Sequence, residues 1–190
     1  MNNPFITDLS FKGSDFTTKP LSKGEYENCI FDSCIFSKSN LSNIVFMECV
    51  FTDCDLSNVN LTNTTIKETG FKRCKMLGIS FDHCNDFLLS FNFYDCTLNL
   101  SSFYKLKIKN TKFQNCKMLS VDFTETQLTE TLFDSCDLQS AIFENCNLEK
   151  ADLRTAINYT LDPEKNNITK AQFSKDGVLG LLSKFDIHIE

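Results

Sequence analysis

A bulky apolar residue recurs at every fifth position along most of this chain, a period that neither an α-helix nor an ordinary strand explains. Phe11, Phe16, Leu21, Tyr26, Phe31, Phe36, Leu41, Phe46, Phe51, Leu56, Leu61, Ile66, Phe71, Met76 and Phe81 follow one another without a gap. A second run comprises Phe93, Leu98, Phe103, Ile108, Phe113, Met118, Phe123, Leu128, Phe133, Leu138, Phe143, Leu148 and Leu153. The phase shifts by two residues between the runs, which places a two-residue insertion within Cys84–Phe91. Two residues before each centre lies a second, mostly small position, held by Cys29, Cys34, Ser39, Thr64, Cys74, Cys96, Thr111, Cys116, Thr126, Cys136, Ala141 and Ala151 among others. Nine of the ten cysteines fall there, and Cys84 joins them if the first register is extended by one repeat. A repeat of this kind has to be recognised before any local propensity is weighed.

The unit reads small–x–Phe/Leu–x–x, as in Cys136-Asp-Leu-Gln-Ser and Ala141-Ile-Phe-Glu-Asn. It resembles the pentapeptide-repeat family over roughly residues 6 to 155. The resemblance implies an all-β fold, a right-handed quadrilateral β-helix with four pentapeptides per coil and about seven to eight coils. A period of twenty in the sequence is the corresponding test. Phe31, Phe51, Phe71, Phe93, Phe113 and Phe133 form one such series, expected as a single interior stack, and Cys34, Cys54, Cys74, Cys96, Cys116 and Cys136 form another. Stacked coils spaced by about 4.8 Å then give a rod about 36 Å tall. The expected organisation is a β-helix over residues 1–155, in two stacks joined by the insertion near 84–91. A capping and dimerisation segment over 156–190 follows. Phe91 puts a ring where small residues are usual, so packing near the insertion should be irregular.

The cysteines read as structural. A metal site needs convergent ligands, which spacings of five, fifteen and twenty do not supply. A disulfide needs side chains turned toward each other, whereas stacked positions point the same way. The remaining role is that of small, reduced core residues. His83 and His188 lie far apart and offer no metal-ligand spacing, and no cofactor is expected. No nucleophile set, phosphate loop or paired carboxylates can be assembled on a rod of outward turns, so the expectation is a protein that is not an enzyme.

After Leu153 the period stops. Ser174 is placed to cap a helix from about Lys175 to Phe185, weakened by Gly177 and Gly180 by about 1 kcal/mol each against Ala. Val178, Leu181, Leu182 and Phe185 share one face at helical spacing. That stripe suits a lid over the last coil, a contact joining two copies into a homodimer, or both. The ending from Leu181 to Glu190 also resembles the quinolone-resistance (Qnr) and microcin-immunity branch of the family. In that branch the C-terminal segment pairs two rods end to end, and the dimer protects DNA gyrase and topoisomerase IV. The insertion here is shorter than the projecting loops of many Qnr proteins.

Net charge is −6 over 190 residues, against direct binding of nucleic acid. No apolar run is long enough to span a membrane. The first residues carry no signal peptide, so a cytoplasmic protein with reduced thiols is expected. Charge is uneven along the chain. Residues 25–64 are net −5, residues 65–120 net +5, and residues 121–153 net −7. In the last segment Asp122, Glu125, Glu130, Asp134, Asp137, Glu144 and Glu149 are the candidate partner-binding acids, with Asp152 beyond them. Two functions follow. One is a DNA-mimicking binder of a type II topoisomerase that protects it from quinolones or a peptide toxin. The other is a structural or adaptor solenoid with another protein partner, its charge serving only solubility.

Overall fold

The computed structural model describes residues 4–185 and 187–188 and is an all-strand parallel β-solenoid of about eight turns. Nine short strands form one parallel sheet along the rod: Ser10–Lys12, Ile30–Asp32, Val50–Thr52, Thr69–Lys72, Phe91–Tyr94, Lys112–Gln114, Leu132–Asp134, Asp152–Leu153 and Gln172–Phe173. This is the first face of a four-sided coil. The second is a ladder of single bridges through Asp15, Ile35, Asp55, Lys75, Thr97, Lys117, Asp137 and Ile157. The third carries bridges Asn40–Asn60 and Ser80–Ser102–Asp122–Ile142. The fourth starts as a parallel sheet of Phe5–Thr7, Glu25–Glu27, Val45–Met47 and Thr65–Lys67, and later continues through Lys107, Gln127, Asn147 and Asn167. Among the described residues no helix is long and apolar enough to cross a membrane.

The five-residue period is a corner period. Ser33, Lys38, Asn43, Glu48, Asp53 and Asn58 take φ between 51° and 59°, and the same left-handed turn recurs up the rod. Each such residue costs on the order of 1 kcal/mol unless it is Gly, Asn or Asp, which is why Asn and Asp are frequent at the corners. The gain is that each side presents its centre residue to the lumen. Phe31, Phe51, Phe71, Phe93, Phe113 and Phe133 lie one above another, fully buried, with centroids 4.6 to 5.3 Å apart and planes within 20° of parallel. Phe81, Phe103, Phe123 and Phe143 make a second stack on the third face, and rings of the two stacks meet edge to face.

The small slot does more than save space. Its hydroxyls and thiols donate to the centre carbonyl of the coil before: Thr126 Oγ1 to Phe103 O at 2.8 Å, Ser39 Oγ to Phe16 O at 3.1 Å, Cys136 Sγ to Phe113 O at 3.3 Å. Cys, Ser and Thr are therefore favoured as compact donors, a chemistry that smallness alone does not express. All ten cysteines are free and buried. Burial pushes the Cys49, Cys84 and Cys146 thiols up to about 12, so these three are neutral at physiological pH.

The insertion occupies Asp86–Leu89. Thr65 still pairs with Asn85, twenty residues on, while Thr69 pairs with Phe91, twenty-two residues on. Phe87 and Leu88 form the apex at 71% and 58% exposure. Leu89 and Phe91 turn inward, and the Phe91 ring packs at 5.0 Å from Phe93 and 5.4 Å from Phe81. The expected division into two stacks shows on the third face, where the bridges stop at Asn60 and resume at Ser80, and on the fourth, where they stop at Asn85 and resume at Lys107. On the first face the nine-stranded sheet runs through unbroken, because the extra residues are absorbed at a corner before the chain rejoins that face.

The repeat also outlasts residue 155. Leu153 pairs with Phe173 and Asn147 with Asn167, so 156–173 completes a further turn and is not a separate cap. Asn166 takes the small slot there, its Nδ2 donating to Phe143 O at 2.9 Å and its Oδ1 accepting from the Cys146 N–H at 2.8 Å. The apolar pattern lapses because Asn158 and Pro163 stand at the next two centre positions, while Tyr159 and Leu161 supply the buried side chains there. The C-terminal helix is two successive 3-10 turns, Gly177–Leu181 and Ser183–Phe185.

Candidate functional site

The C-terminal segment is held by close contact. Leu161 N–H donates to Gly180 O at 3.1 Å, and the Gly177 N–H donates to Ser174 Oγ at 2.9 Å. A Cβ on Gly180 would stand 2.2 Å from Tyr159 O, and one on Gly177 would stand 2.3 Å from the Tyr159 hydroxyl. The glycines that weaken an α-helix are thus the residues that let this segment lie against Tyr159. Lys184 locks the arrangement, bridging Asp162 at 2.7 Å and Glu164 at 2.6 Å. Gly177 and Gly180, three residues apart, are the sequence signal of the close approach, while nothing in the residue pattern marks the Lys184 clamp.

The four residues proposed from helical spacing do not share one face. Leu181 is buried against the last turn and Leu182 is half-buried, whereas Val178 and Phe185 are exposed. A 3-10 backbone turns by three residues, so the stripe drawn at 3.6 splits. Leu179, at 47% exposure, joins Val178, Phe185 and Ile187 as apolar surface at this end of the rod.

The acidic coils form a band around the rod. Asp134 lies on the first face with Asp152, Asp137 on the second, Asp122 and Glu144 on the third, and Glu149 beside the Asn147 bridge of the fourth. Glu125 and Glu130 take corners with φ of 58° and 59°. Several carboxylates already have partners within the chain. Lys150 reaches Glu130 at 2.9 Å, Lys165 reaches Glu144 at 3.3 Å and Lys105 reaches Glu125 at 3.5 Å. Asp134 accepts from Thr155 Oγ1 at 3.0 Å and Asp137 from Asn158 Nδ2 at 2.8 Å. Arg154 pairs with Asp152 at 2.7 Å, and its hydrogen bonds hold that carboxyl below the usual range. Lys105, Arg154 and Lys165 all lie outside residues 121–153, so the surface is less negative than the linear count. Pairing between successive coils is the general rule here, as with Arg73 and Asp53 at 2.7 Å.

Asp82, His83 and Cys84 are consecutive near the insertion, but they do not make a catalytic set. His83 is exposed with Nε2 3.7 Å from Asp82, and Cys84 is buried with its thiol raised. Among the described residues no three His, Cys, Asp or Glu side chains converge on a metal-sized site.

A family model described as a pentapeptide repeat region matches residues 24–92 and 87–159. No curated protein sequence matches the chain. Among solved structures the chain is similar to full-length QnrB1, a plasmid-mediated fluoroquinolone resistance protein. The TM-score is 0.64 at 15% identity, covering 97% of this chain and 100% of that one. A trypsin-treated form of QnrB1 gives a TM-score of 0.51 at 18% identity, covering 98% of this chain and 100% of that one. At such identities these neighbours establish the fold. With the family model spanning most of the repeat, the chain belongs to the pentapeptide-repeat family.

Proposed function

We propose that this protein is a non-catalytic binding rod that engages a bacterial type II topoisomerase, DNA gyrase or topoisomerase IV, and relieves its inhibition by a quinolone or a peptide toxin. The observation that carries the reading is a solenoid matching the whole length of a fluoroquinolone resistance protein, with a band of acids at residues 121–153. A stiff rod ringed by carboxylates offers negative charge at any rotation about its axis, as a DNA duplex does. The exposed Val178, Leu179 and Phe185 would join two copies end to end and bring two acidic bands near the centre of the assembly. Supercoiling by gyrase in the presence of ciprofloxacin, across a titration of the protein, tests the reading. Restored supercoiling supports it, and absence of both protection and binding at micromolar protein leaves the adaptor function standing. One observation favours that second reading: Glu125, Glu130 and Glu144 are ion-paired within the chain, as charges kept for solubility would be.

A further inference from the structure

Six thiols run in single file up the interior of the rod. Cys34, Cys54, Cys74, Cys96, Cys116 and Cys136 come from six successive coils, and none is more than 2% exposed. Each donates to the same two kinds of acceptor, the carbonyl two residues earlier and the carbonyl of the ring below. Cys34 Sγ lies 3.4 Å from both Asp32 O and Phe11 O, and Cys136 Sγ lies 3.5 Å from Asp134 O and 3.3 Å from Phe113 O. Each thiol also neighbours the next along the column. Because the contacts repeat, the step from sulfur to sulfur is the step from coil to coil. The phenyl rings beside them measure that step at 4.6 to 5.3 Å.

A metal–thiolate bond is about 2.3 Å long, so a cation midway between two thiolates holds the sulfurs about 4.6 Å apart. The shortest coil step, 4.6 Å, equals twice a metal–sulfur bond. The other four, at 5.2 to 5.3 Å, exceed it by about 0.7 Å, which the bound cations would close by drawing the sulfurs together. We propose that this column is a binding site for soft monovalent d10 cations, the copper(I) and silver(I) class, each held between the thiolates of two successive coils. Zinc is unsuited, since it takes four ligands in a tetrahedron and a single file provides two. Thiolate softness selects the monovalent coinage ions over hard cations.

Charge balance makes filling cooperative. The first cation displaces two thiol protons and leaves one net negative charge in the lumen. A second cation in an adjoining gap displaces only one more proton, because the shared thiolate bridges both ions, and buried charge does not change. Burying further charge is what costs most in an apolar interior, so adjoining gaps fill together. Six thiolates in file enclose five gaps, and a completed column has released six protons to solvent.

The test uses silver(I), which needs no reductant, on the full-length native protein, with bound ions counted by native mass spectrometry. Replacing an interior thiol, Cys74→Ser or Cys96→Ser, should remove two ions, because two gaps share that sulfur. Replacing the terminal thiol, Cys136→Ser, should remove one. Serine keeps the donor that Ser39 and Ser101 already supply at this slot, so the variants should fold, which circular dichroism checks. X-ray absorption of the loaded protein should show two sulfur neighbours per silver. Equal losses at interior and terminal positions would mean scattered single-thiol binding and overturn the proposal. So would uptake that occurs only as the β-sheet signal is lost, or no uptake at all.

Discussion

Phe113 is enclosed by Phe93 and Phe133 in its own stack and by Phe103 and Phe123 edge-on. Phe113→Ala should lower stability by about 3–5 kcal/mol in urea unfolding, since coils tied on every side cannot close the cavity. A loss below about 1 kcal/mol would show the lumen to be far more compliant than stacked rings allow. Thr126→Val separates size from hydrogen bonding at the small slot. The shape is kept but the bond to Phe103 O is lost, so a cost of about 1 kcal/mol is expected by the same measurement. A neutral result would return the slot to a purely steric role. The Phe column was legible in the sequence because its period of twenty survives the insertion. The donor function was not, because Val59 and Val121 share the slot with Thr and Cys and disguise the chemistry.

At the level of elements, the phase count located the insertion between Phe81 and Phe93 but left open which side takes it up. An offset change of two residues is the same number wherever the extra chain is placed, and only the pairing of Thr69 with Phe91 assigns it to a corner. The C-terminal segment departs from helical spacing for a related reason. Val178, Leu181, Leu182 and Phe185 fit 3.6 residues per turn, yet Gly180 must approach Tyr159, which tightens the backbone to 3-10. From propensity alone, Gly180→Ala should stabilise a helix by about 1 kcal/mol. The structure reverses the sign: a Cβ meets the Tyr159 carbonyl, so the variant should lose hydrogen-exchange protection at the Leu161 amide. Retained or increased protection would restore the propensity argument. The Lys184 clamp adds a pH dependence. Its hydrogen bond, with that of the Glu164 N–H, holds Asp162 below its ordinary value of 3.8. A carboxyl depressed on folding contributes stability above its unfolded pKa and loses it as pH falls through the folded one. Protection of this segment should therefore fade below about pH 4, while the coils of residues 25–153, where Asp53 and Asp152 are lowered in the same way but the stacked rings carry the stability, keep more of theirs. Simultaneous loss in both regions would mean that the clamp does not govern the segment.

For the whole molecule, what remains exposed at the C-terminal end decides between lid and contact. Leu181 is buried with the core of the last turn. Val178 at 39%, Leu179 at 47% and Phe185 at 53% exposure are left over, and an apolar cluster at a rod end gains most by meeting its own copy across a two-fold axis. Deleting residues 174–190 would uncover Tyr159 and Leu161 as well and so confuse dissociation with unfolding. Val178→Asp together with Leu179→Asp leaves Leu181, Phe185 and the Lys184 clamp in place. Sedimentation at about tens of micromolar should then show a dimer for the native chain and a monomer for the double variant, with unchanged circular dichroism. Salt distinguishes this contact from the one proposed for the acidic band. An apolar end contact should hold or tighten as salt is added, whereas binding of a positively charged groove should weaken as the Debye length falls to about 8 Å and below. Reversing Glu130, Asp134 and Asp137 to Lys should likewise weaken topoisomerase binding while leaving the dimer intact. A native chain that stays monomeric would remove the end-to-end arrangement. Partner binding that ignores both salt and the three reversals would remove the acidic band as its surface.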